Sequence, residues 1–332
     1  MSKVFPRISR RRALQSATVG AVALGLLLWW LLPLGEKPPS GTIVFSTGTS
    51  RGVYQEYGER LRNEMAEDMP DLEVKLLKSA GSQENVQRVA TGKADFTIAA
   101  ADAVETYELR HGEGAGRLRG VARLYDDYVQ LVVRRGSAIK SVADLRHKRV
   151  ATGQPDSGVR LIADRVLRAS GIDPRKDITP VADGIDIGPG RLQQGKIDAF
   201  FWSGGLPTKG LVALAKKSAF TFVPIDDELI TRLHDEGQEA RYYRAANIPE
   251  SAYPAVQQGL QVPTIAVSNV LITRADVDPR LTEWVTRTVI DSRDGIGAHV
   301  HSAQLVDLRT AIYTDPLPLQ EGARRYYRSM KP

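Results

Sequence analysis

The feature that most constrains this chain is a phrase it uses twice. Residues 92–98 read Gly-Lys-Ala-Asp-Phe-Thr-Ile, and residues 195–201 read Gly-Lys-Ile-Asp-Ala-Phe-Phe, 103 residues further on. In the same register Gly81 matches Gly184 and Arg88 matches Arg191. Each copy reads as a helix end followed by a buried strand. Glycine ends a helix because it adopts positive φ without a Cβ clash. The apolar run after Asp95 and Asp198 is short and apolar on both faces, as in a strand covered by helices. Two arrangements satisfy this: two ordinary αβ layers, or two related lobes facing each other, which is how proteins clasp small molecules.

A length of 332 residues suggests two domains or two lobes. With 42% hydrophobic residues, sizeable cores need no disulfides, and the absence of cysteine excludes disulfides, thiolate zinc sites and a cysteine nucleophile. The net charge of +6 is local. Lys3, Arg7, Arg10, Arg11 and Arg12 give residues 1–35 five basic groups and no acid, which leaves 40 basic against 39 acidic residues elsewhere. No general attraction to nucleic acid follows.

From Ala13 to Gly35 there is no charged residue, and Trp29 and Trp30 stand near the outer end of the run. Such a run predicts a membrane-spanning helix with the basic tip in the cytoplasm and everything after Gly35 outside. Ser9-Arg10-Arg11-Arg12-Ala13-Leu14 also resembles a twin-arginine export signal, with Ala13 where that signal usually has Phe. The end Leu31-Leu32-Pro33-Leu34-Gly35 fits a cleavage site poorly, so an uncleaved anchor is favoured over a removed signal. Residues 36–41, with Pro38 and Pro39, read as a stiff linker.

The exported part opens β-loop-α-β-loop-α-β, with strands near 42–45, 72–77 and 96–100, the pattern of a parallel sheet covered by helices. Further strands are expected at 129–133, 149–152 and 221–224, and residues 264–267 and 270–272 form an extended apolar stretch. Four strand ends carry Gly/Ser/Thr-rich loops, at 46–52, 79–82, 153–158 and 202–205. Ligands of open α/β sheets bind at such ends, and a helix N-terminus holds carboxylates or phosphates through its free N–H groups. Any one of these loops is equally explained by N-caps and turns; four of them over two lobes point to a shared site.

Other chemistries lack their residues. There is no G-x-x-x-x-G-K-[ST] phosphate loop and no G-x-S-x-G nucleophile elbow. His299 and His301 sit two apart, which on a helix turns them away from each other, so no metal site is expected. Asp126/Asp127 and Asp226/Asp227 read as turns and caps, and Tyr242-Tyr243 and Tyr326-Tyr327 as packing aromatics. No enzyme and no cofactor are expected.

The stretch 43–61, with Ser46-Thr47-Gly48 and Gly52-Val53-Tyr54, resembles the TAXI solute receptors of TRAP transporters. So do Ala80-Gly81-Ser82-x-x-Asn85, both Gly-Lys-x-Asp phrases, Pro155-x-Ser157-Gly158, Gly205-Leu206-Pro207 and Val262-Pro263-Thr264. The resemblance covers roughly residues 41–330. It implies an α/β, two-lobed, periplasmic-binding-protein-like fold of the Venus-flytrap kind. Lobe 1 would be 41–127 plus 266–332 and lobe 2 would be 128–265, with crossovers near Asp126–Tyr128 and Thr264–Val267. It implies a monomer that captures a small carboxylate, a glutamate-like amino acid or a dicarboxylate, and delivers it to TRAP membrane subunits; the same clamp would also serve a signalling partner. Carried over by motif, the pocket takes Thr47, Gly48, Tyr54, Ser82 and Asn85 from one lobe and Ser157, Gly158, Val159 and Ser203 from the other. Ser157 would hold the carboxylate, so Ser157→Ala is expected to weaken binding without lowering apo stability. Tyr54 and Asn85 would orient the ligand. Arg51 stands where the family often has Gly, and either binds a second carboxylate or points to solvent.

Overall fold

The computed structural model describes residues 37–331. The membrane helix expected over 13–35 lies outside the described residues, and among the described residues no helix is long and apolar enough to cross a membrane.

The doubled phrase builds the same joint twice. Gly92 and Gly195 both adopt left-handed backbone, at φ +78° and +70°. The chain then turns back, and Lys93 N and Lys196 N donate to the Arg88 and Arg191 carbonyls at 2.8 and 2.9 Å. The aspartate that follows clamps the neighbouring parallel strand. Asp95 N donates to Val44 O at 2.8 Å while Val44 N donates to Asp95 Oδ2 at 2.8 Å. Asp198 N donates to Arg149 O at 2.8 Å while Arg149 N donates to Asp198 Oδ2 at 2.9 Å. The two copies thus enter two equivalent parallel pairs, strand β1 (Gly41–Ser46) with β3 (Phe96–Ala100), and β5 (Arg149–Ala151) with β7 (Ala199–Gly204).

Between β1 and β3 run helix α1 (Val53–Asp68), strand β2 (Leu72–Leu77) and helix α2 (Ser82–Ala90). In α1 the buried Tyr57, Leu61 and Met65 recur every fourth residue, one face of a helix. After β3 come α3 (Ala101–Leu109) and the long strand β4 (Leu118–Arg134). Then follow α4 (Gly158–Ala169), β6 (Thr179–Val181), α5 (Gly188–Gln193), β8 (Phe220–Val223), β9 (Arg244–Ile248) and a second long strand, β10 (Val262–Arg274). Strands lie in the order β2-β1-β3-β10-β4-β7-β5-β6, with β8 on β4 and β9 on β10.

Strand β4 does not stop at Asp126-Asp127. Its first part pairs antiparallel with β10, and its last part, Tyr128–Arg134, pairs with β7 and β8. The turn expected at Asp126/Asp127 is therefore corrected: both residues lie inside a strand that crosses between the lobes. The Asp226 expectation holds, since its carboxylate accepts from Leu229 N at 2.9 Å as an N-cap. The extended apolar stretch expected over 264–267 and 270–272 is one strand, β10. The hydrophobic side chains gather into cores on either side of this crossing. One draws on 129–267 together with Ala100; the others draw on 43–125 and 270–327.

The clamp gives a stability prediction. Asp95→Ala removes the acceptor of Val44 N, and a lost charge-assisted hydrogen bond costs about 1–3 kcal/mol. Chemical denaturation of the variant should show a loss in that range.

Candidate functional site

Where β4 and β10 cross, Ala266 faces Tyr128, Val267 faces Asp127 and Ser268 faces Asp126. Against this crossing lies a cavity of about 50 Å³, room for roughly three to five waters at ~10–15 Å³ each. Its walls come from both sides. Gly48, Tyr54, Ser82 and Asp102 face it from the first half of the chain, Gly158, Val159, Trp202 and Ser203 from the second, and Asp127 from the crossing.

The site is assembled by helix starts. Ser82 opens α2 and Gly158 opens α4, and the two meet closely: a Cβ on Gly158 would stand 2.9 Å from Ser82 Oγ. Only glycine allows that approach. Gln83 Nε2 donates to Ser157 O at 2.8 Å and Glu84 N to Asp156 O at 3.0 Å, which ties the two halves together over the cavity. Both helix starts bring partial positive charge to this place.

Beneath them is a polar cluster. The Tyr54 hydroxyl is 3.0 Å from Ser82 Oγ, is bonded to Asn269, and reaches Asp127 Oδ2 at 3.5 Å. Ser82 Oγ also accepts from Ala100 N at 3.1 Å. Asp127 is buried, and its Oδ1 has no hydrogen-bond partner. Burial pushes its carboxyl up to about 7; Asp126 and Asp102 add to the rise, while Asn269 and Tyr54 oppose it. Burial and the Asp127 charge likewise push the Tyr54 phenol up, so it stays protonated. The second carboxylate, Asp102, differs in having company. Its Oδ2 accepts from Tyr243 Oη at 2.6 Å and lies 3.4 Å from the Arg165 guanidinium, while its Oδ1 is unpartnered. Burial raises its carboxyl, and Arg165 acts against that.

The expected site residues divide accordingly. Gly48, Tyr54, Ser82, Gly158, Val159 and Ser203 are brought together at the cavity. Thr47, Asn85, Ser157 and Arg51 are not among its lining. Thr47 is fully buried, its hydroxyl bonded to Gln55 Oε1 at 2.5 Å. Asn85 is spent on backbone and strand contacts: Ser46 Oγ at 2.7 Å, Thr47 O at 2.7 Å and Ile98 O at 3.0 Å. It locks α2 to β1 and β3, with both amide protons engaged. Ser157 Oγ accepts from Arg160 N at 3.0 Å and donates to Gln154 O at 2.7 Å, so its hydroxyl caps α4. Arg51 is exposed beside a different surface depression, its backbone N–H bonded to Asp186 at 3.0 Å. Among the described residues no group of three or more His, Asp or Glu is placed to hold a metal ion.

Sequence reasoning missed Asp102, Asp127 and Trp202. The signal for Asp127 was an acid inside Leu124-Tyr125-Asp126-Asp127-Tyr128-Val129, at the place where a crossover was expected. Asp102 carried no such mark, because its partners Arg165 and Tyr243 are 63 and 141 positions away.

Residues 45–330 match the model of the NMT1-like family. In structure the chain is similar to the alkanesulfonate-binding protein SsuA from Xanthomonas axonopodis pv. citri, solved bound to MOPS. The TM-score is 0.51 at 15% identity, over 90% of this chain and 86% of that one. It is also similar to a Listeria monocytogenes protein assigned as an L-cystine ABC transporter, with a TM-score of 0.52 at 15% identity over 80% of this chain and 98% of that one. Identities this low speak for the shared two-lobed, periplasmic-binding-protein-like fold.

Two predictions follow from the site. Ser157→Ala removes a helix cap, so it should cost about 1 kcal/mol of apo stability in denaturant melts, in contrast to the sequence-based expectation. Asp127 binds its proton more tightly folded, at about 7, than unfolded, at about 3.9. Its contribution to stability is therefore full below pH 4 and lost as pH rises through 7. Asp127→Asn should melt above the wild type at pH 8, by roughly 2–4 °C for each kcal/mol recovered, and the gap should close towards pH 4.

Proposed function

We propose that this chain, which belongs to the NMT1-like family, is an extracytoplasmic solute-binding receptor. It closes two lobes on a small carboxylate solute and delivers it to the membrane subunits of a transporter. The observation that carries this reading is the cavity at the strand crossing, walled from both halves of the chain and faced by buried polar atoms without partners. A buried polar atom without a partner is costly, and a solute that supplies the missing bonds recovers that cost.

The lobes are 41–127 plus 266–332 and 128–265, a division supported by the separate cores. The solute carboxylate meets the starts of α2 and α4, where N–H groups and the helix dipole favour negative charge. No bond is made or broken. Closure is a population shift, and the ligand stabilises the closed state because it touches both lobes at once. The motifs shared with TAXI receptors favour TRAP subunits as the partner. The uncharged run 13–35 supports a tether that keeps the receptor at the outer face of the membrane.

Trp202 gives a direct test, since its ring lines the cavity and its indole N–H is fixed on Thr208 Oγ1 at 3.0 Å. Titrating the purified full-length protein with amino acids, dicarboxylates and sugars should give one class that raises the melting temperature and changes tryptophan emission. The emission change should vanish in Trp202→Phe while the thermal shift remains. A panel in which nothing shifts the melt would sink the receptor reading.

A further inference from the structure

Two carboxylates and no positive side chain face the cavity: among the described residues, no lysine, arginine or histidine lines it. The carboxylates are not equivalent. Asp102 is held by Arg165 and Tyr243, and Arg165 in turn lies 2.9 Å from Glu239. Asp127 has nothing comparable. Its carboxylate is approached by the uncharged Tyr54 hydroxyl, at 3.5 Å from Oδ2, and by the Asn269 amide, and by no cation. Its Oδ1 has no partner at all, and the residue is 4% exposed. The neighbouring Asp126 is answered by Arg123 at 2.7 Å and by Arg244 from β9, so those cations are engaged on the other side of the strand. A buried carboxylate without a cation in reach is a place where one is wanted.

We infer that Asp127 is the subsite for a protonated amine, and that the solute is therefore an ammonium-bearing molecule, an amino acid and not a dicarboxylate. The inference rests on the receptor reading and narrows its ligand. The cavity is two-ended. Asp127, with the free Oδ1 of Asp102, receives the ammonium, while the starts of α2 and α4 receive the carboxylate. A zwitterion satisfies both ends, whereas a dicarboxylate would set a second negative charge against Asp127.

Capture is then coupled to proton release. The groups facing Asp127 are Tyr54 from α1, Asp102 from α3 with Arg165 behind it, Tyr125 and Asp126 from β4 itself, and Asn269 from β10. Burial first, and the acids among them second, hold the free carboxyl protonated near neutrality, and the arriving ammonium drives the proton off. Affinity should fall about tenfold per pH unit on the acid side of that titration.

The test uses the full-length protein at pH 8 with the proteinogenic amino acids and small aliphatic amines as probes, each beside its deaminated counterpart, for instance L-glutamate beside glutarate. At least one amine should raise the melting temperature where its counterpart does not. In calorimetry Asp127→Asn should weaken that amine at least about tenfold and abolish the acid-side slope. Glu228→Gln, an exposed acid away from the cavity lining, should leave affinity within about twofold. Folding of the Asp127→Asn protein is checked by its own melt. Equal binding of an amine and its counterpart, with Asp127→Asn unaffected, overturns the inference and leaves the receptor intact. No response to any amine also overturns it, and silence from the amine-free compounds as well removes the receptor reading with it.

Discussion

The antiparallel pairing of β4 and β10 at Asp126–Tyr128 and Ala266–Ser268 is the constraint on which the rest of the molecule depends. Both strands run unbroken past this point, each contributing hydrogen bonds to two different groups of neighbours. A strand is stiff along its length but twists and bends with little loss of pairing. At the crossing the apolar Val267 packs into one core, while the polar Asp127 faces the cavity.

That geometry explains why a carboxylate is tolerated at Asp127. In a core it would be expelled by desolvation; on the surface it would find water. At the crossing it meets a cavity whose other end is formed by the starts of α2 and α4, tied together by the Gln83–Ser157 and Glu84–Asp156 contacts. Arg165 adds a second link, since its guanidinium joins α4 to Asp102 and to the Thr106 hydroxyl of α3, the latter at 2.8 Å. Breaking a buried pair of this kind leaves an uncompensated charge, so Arg165 and Asp102 hold α4 against α3, while Asp127 Oδ1 has no partner.

Much of the fold was legible because it is written in local pattern. The Gly-Lys-x-Asp phrases, the spacing of Tyr57, Leu61 and Met65, and the alternation of strands and helices each act over a few residues. Part of the site was legible for the same reason, since Gly48, Ser82, Gly158 and Ser203 sit in loops that close strands or open helices. The polar residues Asn85, Thr47 and Ser157 do not line the cavity, because their motifs mark where the loops are and say nothing of whether a hydroxyl or amide is already bonded within the fold. Asn85 uses both amide protons and accepts one bond to hold α2 down, and Ser157 uses its hydroxyl as a cap.

By itself the sequence determined two related αβ halves, a charge-balanced body after a basic apolar leader, and glycine- and serine-rich loops where strands end. These follow from short-range preferences: positive φ at glycine, helical spacing, N-capping. Only the tertiary structure decided which side chains meet. Asp127 became a buried, unanswered carboxylate because β4 continues through it against β10, and Asp102 became an answered one because Arg165 and Tyr243 arrive from far along the chain. The physical reason is that a charge is judged by its surroundings, and the partners or water around a carboxylate are fixed by which distant segments fold against it.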